Sequence, residues 1–240
     1  TGTSEAPCYL LTDENGNATT VGASESNYNI KWDGANLILK NAYVVGEDTD
    51  VTDDDVKFDE NYIPAVSDAI ASYADMTVTL IGNNKLVGLF RDGAGLAVYD
   101  NAGLTIGGKG SLEIESAYNG IYAENATISI NDGTLAVSGE NGIKCNDFIM
   151  NGGELSTSGE SREGIYCKNF IMRDGTIHAV SKERYGIAVI GATKDVELIG
   201  GVVNSEAGYI GLLIKGDGNL IIGGDVDVNI QADKIGIELW

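Results

Sequence analysis

Along the chain, apolar and polar residues alternate in short bursts, and the bursts recur at a fixed interval. A glycine followed by an aliphatic residue stands at Gly95, Gly120, Gly142, Gly164, Gly186, Gly211 and Gly236, at spacings of 25, 22, 22, 22, 25 and 25 residues. One position past each glycine comes Leu96, Ile121, Ile143, Ile165, Ile187, Leu212 or Ile237. Three positions past comes Val98, Ala123, Cys145, Cys167, Val189, Ile214 or Leu239. Both columns are apolar, and the column between them is mixed: Ala97, Tyr122, Lys144, Tyr166, Ala188, Leu213 and Glu238. Period-two alternation marks a strand with one buried face.

Each repeat holds two more such bursts. The second includes Leu104/Ile106, Ile128/Ile130, Phe148/Met150, Phe170/Met172, Val196/Leu198 and Leu220/Ile222. The third follows a glycine-rich turn such as Asn131-Asp132-Gly133 and includes Leu112/Ile114, Leu135/Val137 and Ile177/Ala179. Three strands and three turns in about 22 residues leave no room for a helix. Self-similarity at this period therefore predicts a single-domain parallel β-helix of about eight turns over residues 29–240, with 1–28 as an N-terminal cap. Right-handed winding is expected from the general preference of parallel crossovers.

Composition narrows the partners. The chain carries 36 Asp and Glu against 15 Lys and Arg, a net charge of −21. That balance repels phosphate backbones and anionic membrane surfaces, so neither nucleic acid nor membrane is an expected partner. No apolar run approaches the length of about 20 residues needed to insert as a membrane helix. The 33 glycines and two prolines, with 43% hydrophobic residues, describe a folded solenoid and not a disordered chain. The start at Thr1-Gly2 leads us to expect an upstream segment, such as a secretion signal, before it. Three cysteines make no disulfide framework. Cys145 and Cys167 share an inward column, where stacked side chains point the wrong way for an unstrained bridge and serve as apolar fillers.

Several surface features are candidates for function. Tyr118, Tyr122, Tyr166, Tyr185 and Tyr209 gather around the repeat glycine, with Tyr73 and Tyr99 just past the same corner in earlier turns. An exposed aromatic ring with a polar rim suits the C–H face of a sugar, although tyrosine also simply favours strands. Lys144, Arg162 and Arg184 on the same edge suit uronate carboxylates. The acidic stretch 46–64 contains Asp48, Asp50, Asp53, Asp54 and Asp55, hard oxygen ligands in a loop that suit calcium, or else a solvated charge run. Asn125, Asp147 and Asn169 are expected to stack and satisfy turn backbone. His178, with Ser156 and Asn204 in register, has no acidic neighbour to make it catalytic. Ile149, Ile171 and Ile221 point outward and suggest a covered face, through self-association or a protein partner. Trp240 is placed to fold over the open end of the core.

The stretches YNIKWDGANLILKNAYV (28–44), GNNKLVG (82–88) and GIY with NATISINDGTL (120–135) carry a resemblance. The chain resembles secreted bacterial β-helix proteins of the pectate-lyase-like superfamily, in particular surface proteins with a carbohydrate-binding domain. The resemblance implies a secreted or cell-surface setting, plant-type polysaccharides as ligands and bound calcium. The superfamily's enzymes use calcium-holding acids with a basic residue, or clustered aspartates, and no matching column of outward Asp is visible. The favoured function is non-catalytic polysaccharide binding. The alternatives are a structural or adhesive surface protein and, third, a polysaccharide lyase or glycoside hydrolase, which needs converging acids or bases.

Overall fold

The computed structural model describes residues 6–46, 68–89 and 93–240. Its repeats wind into a β-solenoid of three parallel sheets, and no helix interrupts the described residues. Sheet 1 starts at Ile70–Ser72 and Ala94–Val98 and ends at Ile210–Gly216 and Ile235–Leu239. Sheet 2 starts at Asn36–Lys40 and Met76–Ile81, and sheet 3 at Tyr43–Val45 and Asn83–Gly88. Some strands run through a corner unbroken: Asn119–Ile130 and Asn141–Met150 each serve sheets 1 and 2, and Val196–Ala207 serves sheets 2 and 3. Among the described residues each sheet is eight strands deep, so about seven turns separate the first described rung from the last.

The register follows the repeat columns. Ile121 pairs with Ile143, Ile143 with Ile165, Ile165 with Ile187, Ile187 with Leu212, and Leu212 with Ile237. Inward side chains therefore stack on their own kind. Phe148 and Phe170 lie with ring centroids 5.2 Å apart in a fully buried column with Leu104 and Ile128. Cys145 and Cys167 are buried free thiols, and Cys8 is a half-buried one.

Two glycine columns do different work at two corners. Between sheets 2 and 3 the chain turns through left-handed backbone, with φ of 97° at Gly133 and 91° at Gly175. Only glycine adopts that conformation without strain. Asn41, at φ 51°, fills the same role in the earliest turn, and its side chain accepts the Asn83 N–H. Between sheets 3 and 1 the requirement is space. A Cβ on Gly95 would sit 2.1 Å from Ile114 Cγ2, and one on Gly120 would sit 2.3 Å from Val137 Cγ1. The third strand's inward side chain fills the volume the glycine vacates, which closes the triangular cross-section.

At the N-terminal end, Asn36–Lys40 pairs antiparallel with Ile30–Trp32, which pairs antiparallel with Cys8–Thr12. Trp32 thus belongs to this antiparallel pair, and parallel stacking begins with Asn36–Lys40.

Three sequence expectations are corrected. The isoleucine face is broken: Ile171 pairs with Glu197, which in turn pairs with Ile221, so a carboxylate interrupts the stripe. Ile149 and Ile171 are half-buried in that face, while Ile221 is 41% exposed. Asn125 leaves the polar stack, because the register slips between Ala123 and Thr127 and places Thr127 beside Asp147. The remaining pair behaves as expected, with Asn169 donating to Asp147 while its Oδ1 accepts the Lys194 N–H at 3.1 Å. Finally, Trp240 does not cover the core. Alternation sends it to the outer face, 72% exposed, where its Nε1 donates to Glu238 Oε1 at 2.6 Å.

Candidate functional site

The outer face of sheet 1 is a trough. Its middle column reads Ala71, Ala97, Tyr122, Lys144, Tyr166, Ala188, Leu213 and Glu238 in direct register. Ala97, Ala188 and Leu213 point away from the core yet are almost fully buried. Side chains from the two flanking corners rise over them and make walls. In the C-terminal half these walls enclose a groove of about 380 Å³.

One wall comes from the corner before sheet 1. Arg162 and Arg184 stand there on consecutive rungs, beside Tyr185. Arg162 pairs with Glu140 at 3.4 Å and lies 5.9 Å from the Tyr118 ring. Arg184 packs 5.5 Å from the Tyr185 ring and pairs at 3.4 Å with Glu163, a carboxylate only 6% exposed. Tyr185 in turn tilts against Tyr209 at 6.1 Å. Lys144 and Tyr166 make the floor, and the Lys144 ammonium lies 5.6 Å from the Tyr122 ring. The other wall comes from the corner after sheet 1: Lys168, Ile190 and Lys215.

All eight residues expected to touch a glycan therefore lie on or beside this trough, but in two columns and not one edge. Tyr122, Lys144 and Tyr166 are mid-strand, whereas Tyr118, Arg162, Arg184, Tyr185 and Tyr209 form the corner wall. Sequence reasoning missed Lys168 and Lys215. The signal was available: each follows directly after an inward residue of its repeat, Cys167 and Ile214, on the outward side of the strand.

The electrostatics are unusual for this molecule. In a chain of net charge −21, five of its 15 basic residues line one groove. Glu163 is the one acidic side chain in that lining, and it is already tied to Arg184. No carboxylate among the described residues pairs with Lys168 or Lys215. Cations over partly shielded apolar walls keep more of their attraction for an anion than cations in open water. Arginine adds a planar fork that matches a carboxylate.

The calcium candidates Asp48, Asp50, Asp53, Asp54 and Asp55 lie outside the described residues. Among the described residues, no group of three or more His, Cys, Asp or Glu comes together to hold a metal. His178 sits on the outer face of sheet 3 between Ser156 and Asn204, remote from the trough.

The described residues thus form an all-β solenoid with an aromatic and cationic trough along one sheet. Residues 62–210, well over half the chain, match the family model described as carbohydrate-binding domain-containing protein, and the protein belongs to that family. No curated protein and no solved structure matches it significantly.

Proposed function

We propose that the protein binds an acidic polysaccharide, of the uronic-acid class, in the sheet 1 trough without cleaving it. The family supports carbohydrate as the ligand. The observation that carries the acidic preference is the gathering of Lys144, Arg162, Lys168, Arg184 and Lys215 around Tyr166 and Tyr185 in one groove of a strongly acidic protein. Tyrosine faces take the apolar side of the sugar ring, and the cations take the ring carboxylates. A glycosidase would need two carboxyl groups facing each other across the bond to be cut, whereas this groove is lined by one, held by arginine. The expected setting is the bacterial cell surface or the medium outside it, where such polymers occur.

The test is depletion from solution by polygalacturonate coupled covalently to beads and, separately, by an uncharged glucan, at low and high salt and in calcium or chelator. Retention on polygalacturonate that fades with salt is expected, because the interaction is between partly exposed charges. Lys168→Glu with Arg184→Ala should remove it. Equal retention on the neutral glucan at all salt concentrations would refute the acidic preference, and no retention on either would refute the site. Ultraviolet absorbance of an unsaturated uronate, or new reducing ends, would overturn the non-catalytic reading. The calcium and chelator arms read out any contribution of the acidic stretch 46–64 separately.

A further inference from the structure

Beyond the groove, the same face carries a second feature. The column immediately after each inward strand residue holds Tyr73, Tyr99, Lys168, Ile190, Lys215 and Trp240 among its members. Backbone pairing confirms the alignment: Tyr99 N–H donates to Ser72 O, Ile190 pairs with Lys215, and Trp240 N–H donates to Ile214 O. The cations of the groove are thus bracketed by aromatic rings along the solenoid axis.

At the N-terminal end, Tyr73 and Tyr99 stack with centroids 5.3 Å apart and 26° between planes, and Tyr99 continues to Tyr122 at 5.8 Å. Tyr73 stays 57% exposed. The Tyr99 hydroxyl donates to Asp68 at 2.8 Å, which fixes the middle ring. At the C-terminal end, Trp240 is tethered by its bond to Glu238, and the Lys215 ammonium sits 4.8 Å from its ring. Among the described residues Tyr73 and Trp240 are exposed aromatic rings, the first held by stacking on Tyr99 and the second by Glu238 and Lys215, as a sugar-stacking platform requires.

We infer that the carbohydrate site extends past the groove in both directions, to a tyrosine platform led by Tyr73 and a tryptophan platform at Trp240. The ligand is then a linear chain lying parallel to the solenoid axis. Seven rung spacings separate the two platforms, a span of about 34 Å. Only an oligosaccharide of several units reaches from the cationic centre to Tyr73, whereas Trp240 lies one rung beyond Lys215. This inference rests on the groove being the carbohydrate site, and it adds that affinity is built by length.

The experiment is calorimetric titration with oligogalacturonates from a disaccharide to an octasaccharide, using wild type, Tyr73→Ala and Trp240→Ala. Both positions are exposed, so unchanged melting curves are expected for the variants. Wild-type affinity should keep rising through the longest oligomer. Each variant should lose about threefold to tenfold for the octasaccharide, the worth of one stacked ring, and Tyr73→Ala nothing for the disaccharide. Trp240→Phe should recover part of the loss. In a Trp32→Phe background, the Trp240 emission should shift with the octasaccharide. If affinity levels off at short oligomers and both variants match wild type, the groove reading stands and the extension is wrong. If wild type binds no oligomer at any length, the groove reading fails and the extension fails with it.

Discussion

Placing a methyl group on Gly95 tests how the solenoid closes its cross-section. The Cβ of Gly95→Ala would stand 2.1 Å from Ile114 Cγ2 and 3.1 Å from Gly120 O, where ordinary carbon contacts need about 3.5–4.0 Å. Ile114 is 1% exposed, so its methyl has nowhere open to go. Overpacking of this kind costs about 1–3 kcal/mol, reduced by about 0.4–1 kcal/mol because alanine restricts the unfolded chain. The net expectation is a loss of about 1–2 kcal/mol. Ile114→Ala alone removes a buried side chain and should cost about 2–5 kcal/mol. In the double variant the new methyl enters the space Ile114 vacates. The loss should therefore fall short of the sum by about 1 kcal/mol or more.

Gly120 supplies the contrast. Its added Cβ would meet Val137 Cγ1 at 2.3 Å and also the Gly142 carbonyl oxygen at 2.6 Å. That carbonyl belongs to the next rung and no side-chain change removes it, so Val137→Ala should not rescue Gly120→Ala. The assay is equilibrium unfolding in guanidinium, followed by two spectroscopic probes whose coincidence checks for a single transition. Additive losses in the Gly95/Ile114 pair, or full rescue in the Gly120/Val137 pair, would refute the steric account of this glycine column.

Two further predictions concern titrating groups. Burial pushes the thiols of Cys145 and Cys167 well up, with the nearby Asp147 charge adding to it, so little thiolate exists at neutral pH. A thiol-specific disulfide reagent should modify only Cys8 promptly in the native protein and all three after unfolding; equal rates in the native protein would contradict the buried column. Burial also raises the Asp68 carboxyl above its ordinary value of 3.8, against the lowering effect of its bonds from Ala94 N–H and the Tyr99 hydroxyl. The folded state then holds the proton more tightly than the unfolded one. Asp68 should thus contribute less to stability as pH rises from about 3.8 through its folded pKa, and hold level above that. The stability difference between wild type and Asp68→Asn across acid to neutral pH measures this, and a slope of opposite sign would refute it.

How much was legible beforehand differs between the core and the site. The columns Ile121–Ile143–Ile165–Ile187 and Phe148–Phe170 were readable because side chains in a stacked parallel solenoid meet their equivalents one repeat away. The turn glycines were readable for the same reason. The isoleucines do not form one stripe because Glu197 occupies the rung between Ile171 and Ile221, and Asn125 leaves its stack because the strand Asn119–Ile130 carries a register slip that spacing alone does not reveal.

The sequence by itself determined the architecture: the repeat length, the inward and outward positions, and the corners that demand glycine. Each of those is a local property, set by alternation along one strand and repeated at each rung. Only the tertiary structure decided that Ala188 and Leu213, on the outer face of sheet 1, are covered and not left as open surface. It alone brought Arg184 against the buried Glu163, and set Lys168 and Lys215 across from them. It also turned Trp240 outward, beyond Lys215. The physical reason is that walls are built from long side chains on corners of different rungs, whose directions depend on neighbours above, below and across the sheet. No periodicity in the chain encodes those directions. The site arises where the three-dimensional stacking lets like charges gather within a cleft of an otherwise oppositely charged molecule.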